Sequence, residues 1–113
     1  MTHVHKLSYL DYYQILESRQ EPSLVCFTNP SCGGCRRLHR LLVEHPPQIP
    51  GLTCFEILVE DAYGLVEEFD IFHLPTMFLY SNGQFHRPIH SRLEPMALEN
   101  AIREALQQPA QEE

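Results

Sequence analysis

Apolar and polar positions follow two periods along this chain. Ser23 to Thr28 is a short, mostly apolar run (Leu24, Val25, Cys26, Phe27) held between Pro22 and Asn29-Pro30, and it reads as a strand covered on both faces. Thr53 to Val59 is a second such strand, and Thr76 to Tyr80 a third. Asn82-Gly83 then predicts a hairpin turn, with Gln84 to Ile89 as the antiparallel partner. A short edge strand is expected at His3 to Leu7.

Between these runs the period lengthens to that of a helix. Over residues 33 to 45, Cys35, Leu38, Leu41 and Leu42 share one side, while Arg36, Arg37, Arg40 and Glu44 cover the other. Pro46-Pro47 must stop that helix. Ser8, with Asp11 three residues on, resembles a capping signal for a helix over residues 9 to 19. Its inward side would be Tyr9 or Leu10, Tyr12 or Tyr13, and Leu16. Asp61 to Phe69 predicts a shorter helix that carries Gly64, and Glu94 or Pro95 opens the last one, with Met96, Leu98, Ala101, Ile102, Ala105 and Leu106 as its apolar positions. Strands joined through helices run parallel by right-handed crossovers, and the hairpin appends antiparallel strands. The expected architecture is α/β: a mixed sheet with helices on both faces. One domain spans residues 1 to 107, and residues 108 to 113 form a polar tail expected to fray.

Composition narrows the classes of partner. At 113 residues the chain holds one core of useful size. Fifteen acidic against eight basic side chains leave a formal charge of −7, which argues against nucleic acid and anionic membrane as partners. No apolar run approaches the roughly 18 residues of a membrane span. Four cysteines are too sparse for a disulfide-stapled scaffold. The first residues lack a signal-peptide pattern, so the cytoplasm is the simplest expected location.

Candidate chemistry sits at Cys32-Gly33-Gly34-Cys35, which follows a strand and a loop and opens a helix. A helix N-terminus presents unpaired N–H groups and the positive end of the macrodipole, so it favours a thiolate at Cys32. A thiolate is the reactive form of cysteine. Cys35 lies one turn inward, close enough for a disulfide and shielded enough to act second. The local charge favours the same outcome: between residues 22 and 55 there are three arginines and one carboxylate, Glu44, whereas residues 56 to 70 carry six carboxylates and no Lys or Arg. A lone C-x-x-C also begins many zinc sites. His39, His45 and Cys54 are available as further ligands, but Cys54 lies in a strand and no second C-x-x-C exists.

Taken together, the strand Leu24 to Phe27, the Cys32/Cys35 pair at a helix start, Pro75-Thr76 before a strand and Asn82-Gly83 in the next hairpin resemble the thioredoxin family. The stretch Phe69 to Gly83 carries much of the likeness, which extends in matching order from about Val4 to Leu106. The resemblance implies a five-stranded thioredoxin fold, a cis bond before Pro75, and a substrate-binding role for Leu74 and Pro75. It also implies that Cys32 attacks a protein disulfide to form a mixed disulfide, which Cys35 resolves. Such chemistry needs no bound cofactor and no metal; its partners are disulfide-bearing proteins and an upstream reductase or thiol donor.

Departures from the family pattern are specific. Ser31 stands where a tryptophan is usual, Cys26 where the central strand carries a buried aspartate, and Glu56 where the next strand carries a lysine. Gly33-Gly34 replaces Gly-Pro, and Ser91 replaces a glycine before the last helix. Cys26 reads either as a third redox thiol behind Cys35 or as a small apolar strand residue, and Cys54 reads as the latter. His39, one turn beyond Cys35, is a candidate proton acceptor or an idle surface histidine; His73 is a candidate for the substrate groove. Arg40 and Glu44 are spaced to pair. The enzymatic reading is a thiol–disulfide oxidoreductase, and the alternative is a thioredoxin-fold adaptor with little redox activity.

Overall fold

The computed structural model describes residues 4 to 111. The strands are β1 (Val4–Lys6), β2 (Ser23–Thr28), β3 (Thr53–Leu58), β4 (Thr76–Ser81) and β5 (Gln84–Ile89). The α-helices are α1 (Tyr12–Ser18), α2 (Gly33–Glu44), α3 (Tyr63–Glu68) and α4 (Pro95–Gln107), with a 3₁₀ turn at Val59–Asp61. The sheet order is β1-β3-β2-β4-β5. β1, β3 and β2 run parallel, and β4 and β5 continue the sheet antiparallel. This is the expected mixed sheet.

β2 lies in the middle of the sheet and is buried along its whole length, as its apolar run requires. Alternation then sorts its side chains between two cores. Leu24 and Cys26 join Cys54, Met77 and Leu79 under Leu38, Leu41 and Leu42 of α2 and Leu98 and Ile102 of α4. Val25 and Phe27 join Phe55, Ile57 and Tyr80 on the opposite face, against Tyr12, Leu16 and Leu65. Glu56 pairs in register with Cys26. Its period-two position puts it on the face of Cys54 and Cys26, below α2.

Several boundaries differ from the sequence reading. The Ser8–Asp11 signal builds a turn rather than the helix itself: Ser8 Oγ accepts from Asp11 N at 3.2 Å and donates to Asp11 Oδ2 at 3.0 Å. The helix therefore starts at Tyr12, and Leu10 is left 91% exposed while Tyr12 and Leu16 are buried. The segment 61–69 splits at Ala62, whose backbone (φ −147°, ψ 43°) is not helical. Arg40 and Glu44 form no ion pair among the described residues. His3, Glu112 and Glu113 lie outside the described residues. Gln111, in the segment expected to fray, donates its N–H to His86 O at 2.7 Å, and Pro109 O accepts from Arg87 Nε at 2.9 Å.

The hairpin turn has positive φ at both Asn82 (57°) and Gly83 (75°), the combination that a two-residue turn between twisted strands demands. Pro88 is accommodated because β5 is an edge strand. Pro95 occupies the first turn of α4, where its missing N–H costs nothing.

Candidate active site

The site is built where the central strand β2 feeds α2. Asn29 orders the connecting loop: its Oδ1 accepts from Ser31 N (2.9 Å) and Ser31 Oγ (2.6 Å), and its carbonyl accepts from Cys32 N at 3.0 Å. Such side-chain-to-backbone closure is what asparagine does well in turns. Cys32 is then the N-cap of α2, in extended conformation, and its Sγ accepts the N–H of Cys35 at 3.1 Å. A sulfur thus occupies the place usually filled by a capping oxygen.

The loop before β4 closes the other side. The Leu74–Pro75 peptide bond is cis, and the Leu74 carbonyl lies 3.7 Å from Cys32 Sγ. Thr76 Oγ1 donates to His73 O at 2.6 Å and fixes the start of the strand. Gly34 packs closely against this loop: a Cβ would lie 3.3 Å from Pro75 Cδ, a tight contact, and 4.0 Å from Cys32 Sγ, an ordinary one. The structure therefore brings Cys32, Cys35, Leu74 and Pro75 together. His73 and Phe72 are exposed beside them, Phe72 at 87%.

The two thiols differ in environment. The hydrogen bond with the Cys35 thiol lowers the pKa of Cys32; partial burial opposes this, and the Cys35 and Gly34 amides and the Arg36 guanidinium support it. Arg36 is held in place by donating to Pro30 O at 2.8 Å. Cys35 is 3% exposed, and burial, reinforced by the hydrogen bond to Cys32, pushes its pKa up to about 11. One sulfur is poised as a thiolate and its neighbour is kept protonated. That is the division of labour a two-step exchange needs.

Behind Cys35 lies a cluster that motif reading did not assemble. Glu56, 7% exposed, receives Lys6 Nζ at 2.9 Å on Oε1 and Thr28 Oγ1 at 3.0 Å on Oε2, with His39 Nδ1 3.4 Å from Oε1. Burial alone would raise its pKa, but the bonds from Lys6 and Thr28, with the charge of Lys6 and that of His39 when it is protonated, hold it below the usual carboxylate range. These side chains line a cleft of about 530 Å³ that reaches Cys35. The available signal was the single carboxylate inside an apolar strand, since such a group stays buried only when it is paired.

Cys26 and Cys54 sit in the core below α2. Burial raises both pKa values, that of Cys54 to about 12. All four cysteines are free thiols. Among the described residues, no group of three or more His, Cys, Asp or Glu side chains is arranged to hold a metal ion.

The family model described as Thioredoxin matches residues 3–104. The chain is similar to Thioredoxin domain-containing protein 2 of Rattus norvegicus, with 31% identity over 93 residues, which are 74% of this chain and 16% of that protein. It is similar to the thioredoxin of Haemophilus influenzae, with 27% identity over 85 residues, 74% of this chain and 79% of that one. A crystal structure of thioredoxin from Trypanosoma brucei brucei superposes with a TM-score of 0.76 over 94% of this chain and 93% of that chain, at 16% identity, a likeness of fold. The match of the family model over nearly the whole length decides the assignment: the chain belongs to the thioredoxin family.

Proposed function

We propose that the protein is a thiol–disulfide oxidoreductase that reduces disulfides in other proteins through Cys32 and Cys35. The observation that carries this reading is the asymmetry of the pair. Cys32, partly exposed at the helix N-terminus, has a lowered pKa, and Cys35, buried one turn inward, has a raised one. In the first step the Cys32 thiolate attacks a substrate disulfide, joins one sulfur and releases the other as a thiol. In the second, Cys35 attacks Cys32, forming the Cys32–Cys35 disulfide and freeing the second substrate thiol.

The substrate chain docks against the cis-proline loop beside Cys32. Leu74, whose carbonyl faces Cys32 Sγ, and Pro75 are its binding residues. An upstream reductase or small thiol then returns the electron pair, with no bound cofactor. We place the protein in the cytoplasm, a compartment whose reducing poise would return the Cys32–Cys35 disulfide to the dithiol.

Reduction of insulin disulfides by dithiothreitol, measured with wild type, Cys32→Ser and Cys35→Ser, tests this reading. Catalysis by the wild type alone is expected. A wild-type rate no better than that of Cys32→Ser would leave the fold as an adaptor.

A further inference from the structure

Attack by Cys35 on the mixed disulfide requires loss of its proton. Burial, the largest cause of the raised pKa of this thiol in the reduced protein, persists in the mixed disulfide and opposes that loss. The buried thiol meets solvent on the side of the cleft behind it. A proton acceptor for this step should therefore stand in that cleft, whose charged and titratable groups besides Cys35 are Lys6, Arg36, His39, Arg40, Glu44 and Glu56, with Cys26 of β2 beside Glu56.

Lys6 on β1 and Arg36 and Arg40 on α2 are cations without a lone pair to offer. Glu44 lies nine residues beyond Cys35 on α2, about 13 Å along the axis. Glu56 on β3 has both oxygens engaged, Oε1 by Lys6 and Oε2 by Thr28, which makes it a stable anion and a weak base. Cys26, in register beside Glu56, is itself a buried thiol.

His39 remains. It stands four residues after Cys35, so the two side chains are neighbours one turn apart on α2. Its Nδ1 is 3.4 Å from Glu56 Oε1. A nitrogen facing a carboxylate carries the proton, which leaves the lone pair on Nε2.

Given the dithiol reading above, on which this step rests, we propose that His39 accepts the Cys35 proton in the resolving step and that Glu56 positions its imidazole. The proton passes from Cys35 Sγ to His39 Nε2 across the cleft that both side chains line. The Cys35 thiolate attacks Cys32 Sγ, the Cys32–substrate bond breaks and the Cys32–Cys35 bond forms. The electron pair leaves on the substrate sulfur, which takes a proton from the cleft as the imidazolium gives its own back. The substrate gains two electrons and the enzyme dithiol loses two.

The experiment follows one turnover of the reduced protein with a short peptide closed by a single disulfide. Samples are quenched in acid, and the Cys32–peptide adduct and the oxidised protein are counted by intact mass. His39 is half exposed, so His39→Gln and His39→Ala leave the core untouched. Both should form the adduct at the wild-type rate and resolve it about 100-fold more slowly, so that the adduct accumulates. Added imidazole should speed resolution in His39→Ala and not in the wild type, an effect that a structural role would not produce. Glu56→Gln should slow the same step by a smaller factor.

Resolution by His39→Gln at the wild-type rate and with the wild-type pH profile would overturn the assignment while leaving the dithiol reading intact. A wild type that yields neither adduct nor the Cys32–Cys35 disulfide would overturn the dithiol reading, and this step with it.

Discussion

The unequal thiols can be measured directly by alkylating the reduced protein with a brief pulse of iodoacetamide. Cys35, at a pKa of about 11, is ionised to about 1 part in 10⁴ at pH 7. A thiol at the ordinary value of 9.0 is about 1% thiolate at pH 7, and Cys32 is held below that value. The ratio of thiolate fractions is therefore above about 100. A more basic thiolate is the better nucleophile, and a Brønsted slope of about 0.45 returns a factor of about 8 to Cys35. Cys32 should still react more than about 10-fold faster, before the burial of Cys35 is considered. Peptide mapping after the pulse, repeated from pH 6 to 10, gives both rates. The Cys32 rate should level off below the ordinary thiol range while that of Cys35 keeps rising. Because the Cys35 thiol makes the largest contribution to lowering Cys32, Cys35→Ala should move the Cys32 midpoint upward. Alkylation of Cys35 as fast as Cys32 at pH 7 would refute the reasoning.

Three further outcomes test the surrounding structure. Gly83→Ala should destabilise the fold by about 2 kcal/mol or more in urea denaturation, because φ there is +75° and the new Cβ would lie 2.7 Å from the Glu17 carbonyl oxygen; an unchanged midpoint would contradict the turn geometry. Glu56 has a folded pKa below its unfolded one, so its stabilisation is complete above the ordinary carboxylate pKa and fades as pH falls through the lower folded value. Lys6→Met should therefore cost about 1 kcal/mol at pH 7 and progressively less below about pH 4, and an equal cost at pH 7 and pH 3 would disprove the link. Cys26→Ala should cost about 1 kcal/mol and leave insulin reduction at the wild-type rate, as a small buried side chain predicts. Loss of activity in a folded Cys26→Ala protein would make Cys26 part of the redox chemistry.

The architecture was legible wherever one period ran uninterrupted. Leu24 to Phe27 reads as a central strand because both faces are apolar, and Cys35, Leu38, Leu41 and Leu42 mark the buried side of α2 by spacing alone. Asn82-Gly83 announces its turn because few other pairs tolerate two positive φ angles. Reading was less sure where a local signal serves two structures. Ser8 and Asp11 make the same reciprocal contacts in a turn as in a helix cap, so α1 begins three residues later than expected.

At the site, the C-x-x-C spacing displays Cys32 and Cys35. Leu74 and Pro75 came instead from resemblance, because a contact spanning 42 residues leaves no local trace. The same holds for Lys6 and Glu56, 50 residues apart. Their pairing follows from β1 running beside β3, and strand order across a crossover is a property of the folded sheet. Alternation could place Glu56 on the face of Cys54, but only the passage of α2 above that face brings His39 to it.

The central claim is that Cys32 attacks and Cys35 resolves. The most direct test is to incubate Cys35→Ala with the disulfide-closed peptide and locate any covalent adduct by mass spectrometry. The account predicts a stable, stoichiometric peptide adduct on Cys32 that dithiothreitol releases. No adduct, or one carried by Cys26 or Cys54, would contradict it.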